Sequence, residues 1–203
     1  MPSRKQKLQI LGVSAVLLLF AAAVGCKGFF VDSPDSLTIS PDPVTFTDLG
    51  NPQQLTAQAS FGSSSKDVTN SATWQSSNGC GVAVSAATLG SVTAISSGYS
   101  VTITATFNGV SDTVSATTPT GIQITPCSSP GQSPGQFKSG DSITLTATSG
   151  GTDVTTTTTW TSSSSGIVHF TGNTAIFGPT TGKATITASD GSDPDGMLTV
   201  TVQ

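Results

Sequence analysis

Along most of this chain apolar and polar residues take turns. Leu37 and Ile39 alternate with Thr38 and Ser40; Leu55, Ala57, Ala59 and Phe61 alternate with Thr56, Gln58 and Ser60; Val101, Ile103, Ala105 and Phe107 form the strongest such run. A period of two sets one face of a segment against a core and leaves the other wet, which predicts antiparallel strands. Pro41 and Pro43 end the first run, as suits an edge strand that can spare an N–H. Weaker strands are predicted at 73–75, 82–85 and 92–95, the first of them turning Trp74 inward. Asn108-Gly109 then joins the strongest run to a strand at 110–116 as a hairpin, because both central residues of a tight two-residue turn must accept positive φ.

The whole pattern occurs twice. Asp67-Val68-Thr69 followed by Trp74 returns as Asp153-Val154-Thr155 followed by Trp160, each 86 positions on. Ile122 and Ile124 answer Leu37 and Ile39; Ile143, Leu145 and Ala147 answer Leu55, Ala57 and Ala59; Ala184, Ile186 and Ala188 answer the strand before the hairpin; Leu198, Val200 and Val202 close the chain. A repeat of this length marks a duplicated unit. Seven or so short strands and one inward Trp per unit predict an all-β chain of two tandem immunoglobulin-like β-sandwiches, at 37–118 and 119–203, with Trp74 and Trp160 in their cores.

Particular residues carry a family resemblance. Leu55-Thr56-Ala57, Asp67-Val68-Thr69, Trp74-Gln75-Ser76-Ser77, Gly98 and Ile103-Thr104-Ala105 resemble the bacterial Ig-like group 2 domain. Leu145-Thr146-Ala147, Asp153-Val154-Thr155, Trp160-Thr161-Ser162-Ser163, Gly182 and Ile186-Thr187-Ala188 repeat the resemblance. It implies a β-sandwich of bacterial surface proteins, often a spacer or adhesion stalk, and it implies no catalytic residue and no one ligand.

The first 26 residues follow a different rule. Arg4, Lys5 and Lys7 precede an apolar run from Ile10 to Val24, and Ala23-Val24-Gly25-Cys26 ends it with small residues and a cysteine. About 15 apolar residues are short for a spanning helix, which needs ~20, so the run reads as an export signal. Ala23 to Cys26 resembles the lipobox of bacterial lipoproteins, which implies a signal peptide at 1–25, lipid on Cys26 and a tether at 26–36. The alternatives are an uncleaved N-terminal anchor and plain secretion with Cys26 an ordinary thiol. The expected address is the bacterial cell envelope, at the outer membrane or cell surface.

Charge and chemistry then narrow the function. Beyond residue 25 four lysines face eleven aspartates, a formal −7, with no Arg and no Glu. Neutralising phosphates takes clustered Lys or Arg, so nucleic-acid binding is excluded, and the membrane is met only through the lipid on Cys26. Acid–base catalysis usually employs His or paired carboxylates. The lone His169 lies in Ile167-Val168-His169-Phe170 and reads as the outward residue of a strand. Gly131-Gln132-Ser133-Pro134-Gly135 matches the G-x-S-x-G elbow in letters alone, since Pro134 has no N–H to give an oxyanion. Asp190-Gly191-Ser192-Asp193-Pro194-Asp195-Gly196 is either a hard-cation loop or an elongated turn; its spacing departs from the calcium loop and no Glu follows. Cys80 and Cys127 are either a disulfide fixing the angle between the sandwiches or two unrelated half-buried thiols.

These residues predict a non-enzymatic, lipid-anchored envelope protein without cofactor or metal. Its sandwiches would serve as spacer, adhesion or protein-binding scaffold, with a protein or glycan partner unidentified. The alternative is a carbohydrate-binding module. With both Trp in cores, Tyr99 would be the one aromatic left as its platform.

Overall fold

The alternating segments form strands, and short strands between them complete sheets that periodicity does not reveal. The structure is a computed structural model that describes residues 33–203. The signal segment 1–25, the lipidation at Cys26 and all but the end of the 26–36 tether lie outside the described residues. The described residues hold strands, turns and bends, with no helix.

Three sheets make the first sandwich. Strands β1 (Ser36–Ser40), β4 (Thr56–Phe61) and β5 (Ser64–Asp67) lie in the order β1-β4-β5. Strands β2 (Val44–Thr45), β10 (Val110–Thr117), β9 (Ser100–Phe107) and β6 (Thr73–Ser76) lie in the order β2-β10-β9-β6. Strands β3 (Pro52–Gln54), β8 (Ser91–Ala94) and β7 (Val82–Val84) form the third, β3-β8-β7. The second sandwich repeats this order with every number advanced by ten. Its sheets are β11 (Gln123–Thr125), β14 (Thr146–Ser149) and β15 (Thr152–Asp153); β12 (Gln136–Phe137), β20 (Gly196–Val202), β19 (Gly182–Ser189) and β16 (Thr159–Ser162); and β13 (Ser142–Thr144), β18 (Thr174–Phe177) and β17 (Val168–Thr171). The fold is all-β, two tandem immunoglobulin-like β-sandwiches.

Local chemistry sets these elements. Asn108 at φ 48 and Gly109 at φ 84 turn β9 into β10, where Phe107 pairs with Val110. In each four-stranded sheet the inward residues on the first arm of the long hairpin are small or β-branched: Val101, Ile103 and Ala105 in one, Ala184, Ile186 and Ala188 in the other, all buried. Their outward neighbours are threonines, which suit a pleated surface that is half wet. The short strands β2 and β12 run parallel to the last strand of their sandwich, pairing Val44 with Ala116 and Gln136 with Thr201.

The cores differ in what fills them. Trp74 is buried in the first with Leu37, Leu55, Val82 and Ile103. The expectation of a matching Trp at the heart of the second needs correcting. Trp160 is only partly buried and packs against that core from its margin, 6.0 Å from the ring of Phe170. The centre is held instead by Phe137 and Phe177, stacked with centroids 4.3 Å apart and fully buried.

Candidate functional site

The repeated Asp-Val-Thr is a clasp. Asp67 Oδ1 accepts the Thr69 N–H at 2.9 Å, a local turn that its short carboxylate is suited to make. Val68 is thereby sunk into the core, and the Thr69 hydroxyl accepts the Ala57 N–H at 2.9 Å. The indole N–H of Trp74 donates to the Thr69 carbonyl at 3.0 Å, so turn, strand and ring close on one residue. In the second copy Asp153 Oδ1 accepts the Thr155 N–H and the Thr155 hydroxyl accepts the Ala147 N–H, both at 2.8 Å. The indole bond is missing there, and Trp160 Nε1 is buried with no partner. The two turns differ. Ala72 gives its backbone N–H to the Val68 carbonyl, whereas Thr158 in the matching position gives its hydroxyl to Val154.

Thr69, through its hydroxyl first and its N–H second, holds the Asp67 carboxyl below the ordinary aspartate value. Thr155 does the same for Asp153. Asp190 is also lowered, by the backbone N–H groups of Asp193 and Ser192 that its carboxylate accepts. That carboxylate is thus built into its own turn. Among the described residues no three His, Cys, Asp or Glu gather as metal ligands.

The sandwiches meet along one side of β20. On that side Gln203 N–H donates to Phe137 and Thr201 N–H to Gly135, but the next groups are taken by the other sandwich. Thr199 N–H donates to the Ile95 carbonyl at 2.8 Å, and Ser97 N–H to the Met197 carbonyl at 2.9 Å, with Ser96 bridging Leu198. Ile95–Ser97 therefore extends a sheet of the neighbouring sandwich. The Ile95 side chain belongs to the second core. Ser97 is fully buried, its hydroxyl donating to the Ile122 carbonyl at 3.1 Å and accepting the Met197 N–H at 2.8 Å. Glycine makes this approach fit: at Gly98, φ +79, a Cβ would stand 2.2 Å from the Gly121 carbonyl oxygen.

Beside this seam Cys80 and Cys127 form a disulfide, with Cα atoms 5.5 Å apart. Pro134, from the segment with elbow-like lettering, lies where a Cβ on Gly79 would be, at 2.8 Å. That segment is a turn packed into the joint. The cleft between the sandwiches encloses about 890 Å³ and is walled by Gln75, Thr93, Gln136, Lys183, Thr201 and Gln203 among others. Its wall carries amide and hydroxyl side chains, one ammonium and apolar groups, with no side-chain carboxylate and no imidazole. Such a surface can hydrogen-bond a ligand; it holds no acid–base pair.

Other residues singled out from sequence are dispersed. His169 is exposed on β17. The ring of Tyr99 is buried in the first core, where desolvation raises its phenol, so it offers no platform. A smaller hollow of about 460 Å³ lies between Trp160, the threonines before it, and Asn173. The Ile95–Ser97 seam escaped sequence reasoning; its one trace is the run Ser96-Ser97-Gly98, small residues where the copies fall out of step.

No family model matches the sequence, and no curated protein does. Among solved structures the chain is similar to domains 4–9 of the surface layer protein SbsC, at 18 % identity and TM-score 0.35, over 83 % of this chain and 31 % of that one. It is also similar to a C-terminal 282-residue fragment of intimin, solved with the intimin-binding domain of the translocated intimin receptor (15 %, 0.29, over 84 % and 64 %). A third is a SusE-like surface located polysaccharide binding protein from Bacteroides thetaiotaomicron (12 %, 0.27, over 82 % and 34 %). The chain spans less than a third of the SbsC structure.

Proposed function

We propose that this is a non-enzymatic protein of the bacterial cell envelope, anchored by lipid on Cys26. In this reading residues 1–25 are its signal peptide, 26–36 a tether, and 37–118 and 119–203 two bacterial Ig-like domains that act as spacer or binding scaffold. The observation that supports it best is the seam. A fused pair of sandwiches, with a cleft lacking acid–base groups, suits a part that holds position and presents surface. The basic start, apolar run and lipobox-like Ala23 to Cys26 support the anchor. Feeding an alkyne fatty acid to a bacterial host expressing the full chain tests it. The wild type should take up label and sediment with membranes, and Cys26→Ser should do neither. A labelled serine variant, or an unlabelled soluble wild type, overturns the anchor.

A second reading, carbohydrate binding, is favoured by one feature: the partly exposed Trp160 beside its hydroxyl-lined hollow. A glycan array probed with the wild type and Trp160→Ala decides it, since signal that survives the loss of the ring rules this site out.

A further inference from the structure

A crosslink decides which residues carry tension, because a pulled chain transmits force along its shortest covalent path. Cys80 follows β6 in the first sandwich and Cys127 precedes β12 in the second, so their bond joins positions 47 apart. Residues 81–126 then form a closed loop off the path from Pro34 to Gln203. In the fold this loop is no appendage. It contains β7 to β11, including β9 and β10, the long hairpin of the first sandwich.

We propose that, when the chain is pulled from Pro34 to Gln203, the Cys80–Cys127 bond takes residues 81–126 out of the load. The anchored-spacer reading supplies the source of the pull; the bypass follows from covalent connectivity alone. On this path the first sandwich extends only its portion before Cys80, while its long hairpin stays docked on the second through Ile95–Ser97.

The second sandwich is then loaded between Cys127 and Gln203. β12 and β20 run parallel, so force entering before β12 and leaving after β20 drags them past each other along their axes. Main-chain bonds between them resist, among them Thr201 N–H to Gly135 at 2.7 Å, Gln203 N–H to Phe137 at 3.0 Å and Ser139 N–H to Gln203 at 2.9 Å. Sliding loads them together, whereas a hairpin pulled at its open end loses its bonds one by one. The bonds from Thr199 to Ile95 and from Ser97 to Met197 lie on the same side of β20 and add to the clamp.

The test is single-molecule stretching of the full 203-residue chain through handles at both ends, with and without reductant, beside the Cys80→Ser/Cys127→Ser variant. Forty-seven residue steps at ~3.5 Å each, less the 5.5 Å across the bridge, leave the oxidised molecule about 160 Å shorter when fully unfolded. The reduced wild type and the double variant should share the longer value. Pulling instead through the two arms of the β19–β20 hairpin should open the second sandwich at lower force. Equal lengths with and without reductant overturn the bypass, and equal forces in the two directions overturn the clamp. The fatty-acid labelling decides the anchor separately, so an unlipidated chain that still shows the shorter oxidised length loses its membrane and keeps its bypass.

Discussion

A tryptophan gripped by its ring and its nitrogen is a firmer pin than one gripped by its ring alone. Trp74 has both holds, and Trp160 keeps an indole N–H buried without an acceptor. Replacing Trp74 with Phe leaves the Thr69 carbonyl without its donor, while replacing Trp160 with Phe removes a group that is already unsatisfied. Trp74→Phe should therefore cost about 1–3 kcal/mol more than Trp160→Phe in urea unfolding, each followed by the fluorescence of the remaining indole. Equal losses would mean the Thr69 bond contributes nothing. The aspartates of the clasps set the response to acid. Their carboxyls are held low in the folded chain, so the stability they give is complete above the ordinary aspartate value of about 4 and drains away as pH falls through the folded values. The unfolding midpoint should drop on acidification below that point, and Asp67→Asn with Asp153→Asn should flatten the drop. Both clasps are visible in sequence as a recurring Asp-Val-Thr and Trp. The missing indole bond is not, because it depends on where each ring comes to rest against the carbonyl of its clasp threonine.

Strands differ in how plainly they announce themselves. The eight-residue runs β9, β10 and β19 show several alternations each, and their positions follow from the letters. β2 and β12 have two residues apiece, too few to show any period, yet they supply the parallel partners of β10 and β20. The seam is hidden for another reason. It depends on backbone groups of one copy meeting those of the next, and main chain has no letter of its own. Gly98 is where a side chain would tell. A Cβ there meets the Gly121 carbonyl at 2.2 Å with φ at +79, so Gly98→Ala has to strain the backbone or push the sandwiches apart. It should cost at least about 2 kcal/mol, and amide exchange should quicken at Met197 and Thr199, whose partners are Ser97 and Ile95. Unchanged exchange at those two amides would show that the seam tolerates the methyl.

Taken whole, Pro34–Gln203 is one compact unit. The disulfide adds to that unity by closing a long loop in the unfolded chain. For the 47-residue separation the loss of chain freedom corresponds to about 4 kcal/mol, so the Cys80→Ser/Cys127→Ser variant should unfold at lower urea by a matching amount. A shift below 1 kcal/mol would leave the hydrogen-bonded seam as the main tie. Whole-molecule features were partly legible from residue order. Duplication shows in the 86-residue spacing, whereas Cys80 and Cys127 read equally as a bridge or as two separate thiols, because their separation depends on how the copies turn toward each other.

Ile95 lodges its side chain among residues encoded downstream of it, so the core of the second copy is not complete without the first. Expressed from residue 119 onward, the latter copy would lack that isoleucine and bare the Met197–Thr199 rim, a ready template for stray pairing. It should self-associate in size-exclusion chromatography more than residues 34–203 do; equal elution behaviour would show that the rim needs no cover. A gene rearrangement that shuffled these copies like beads would strip the latter of a residue its core takes from the former.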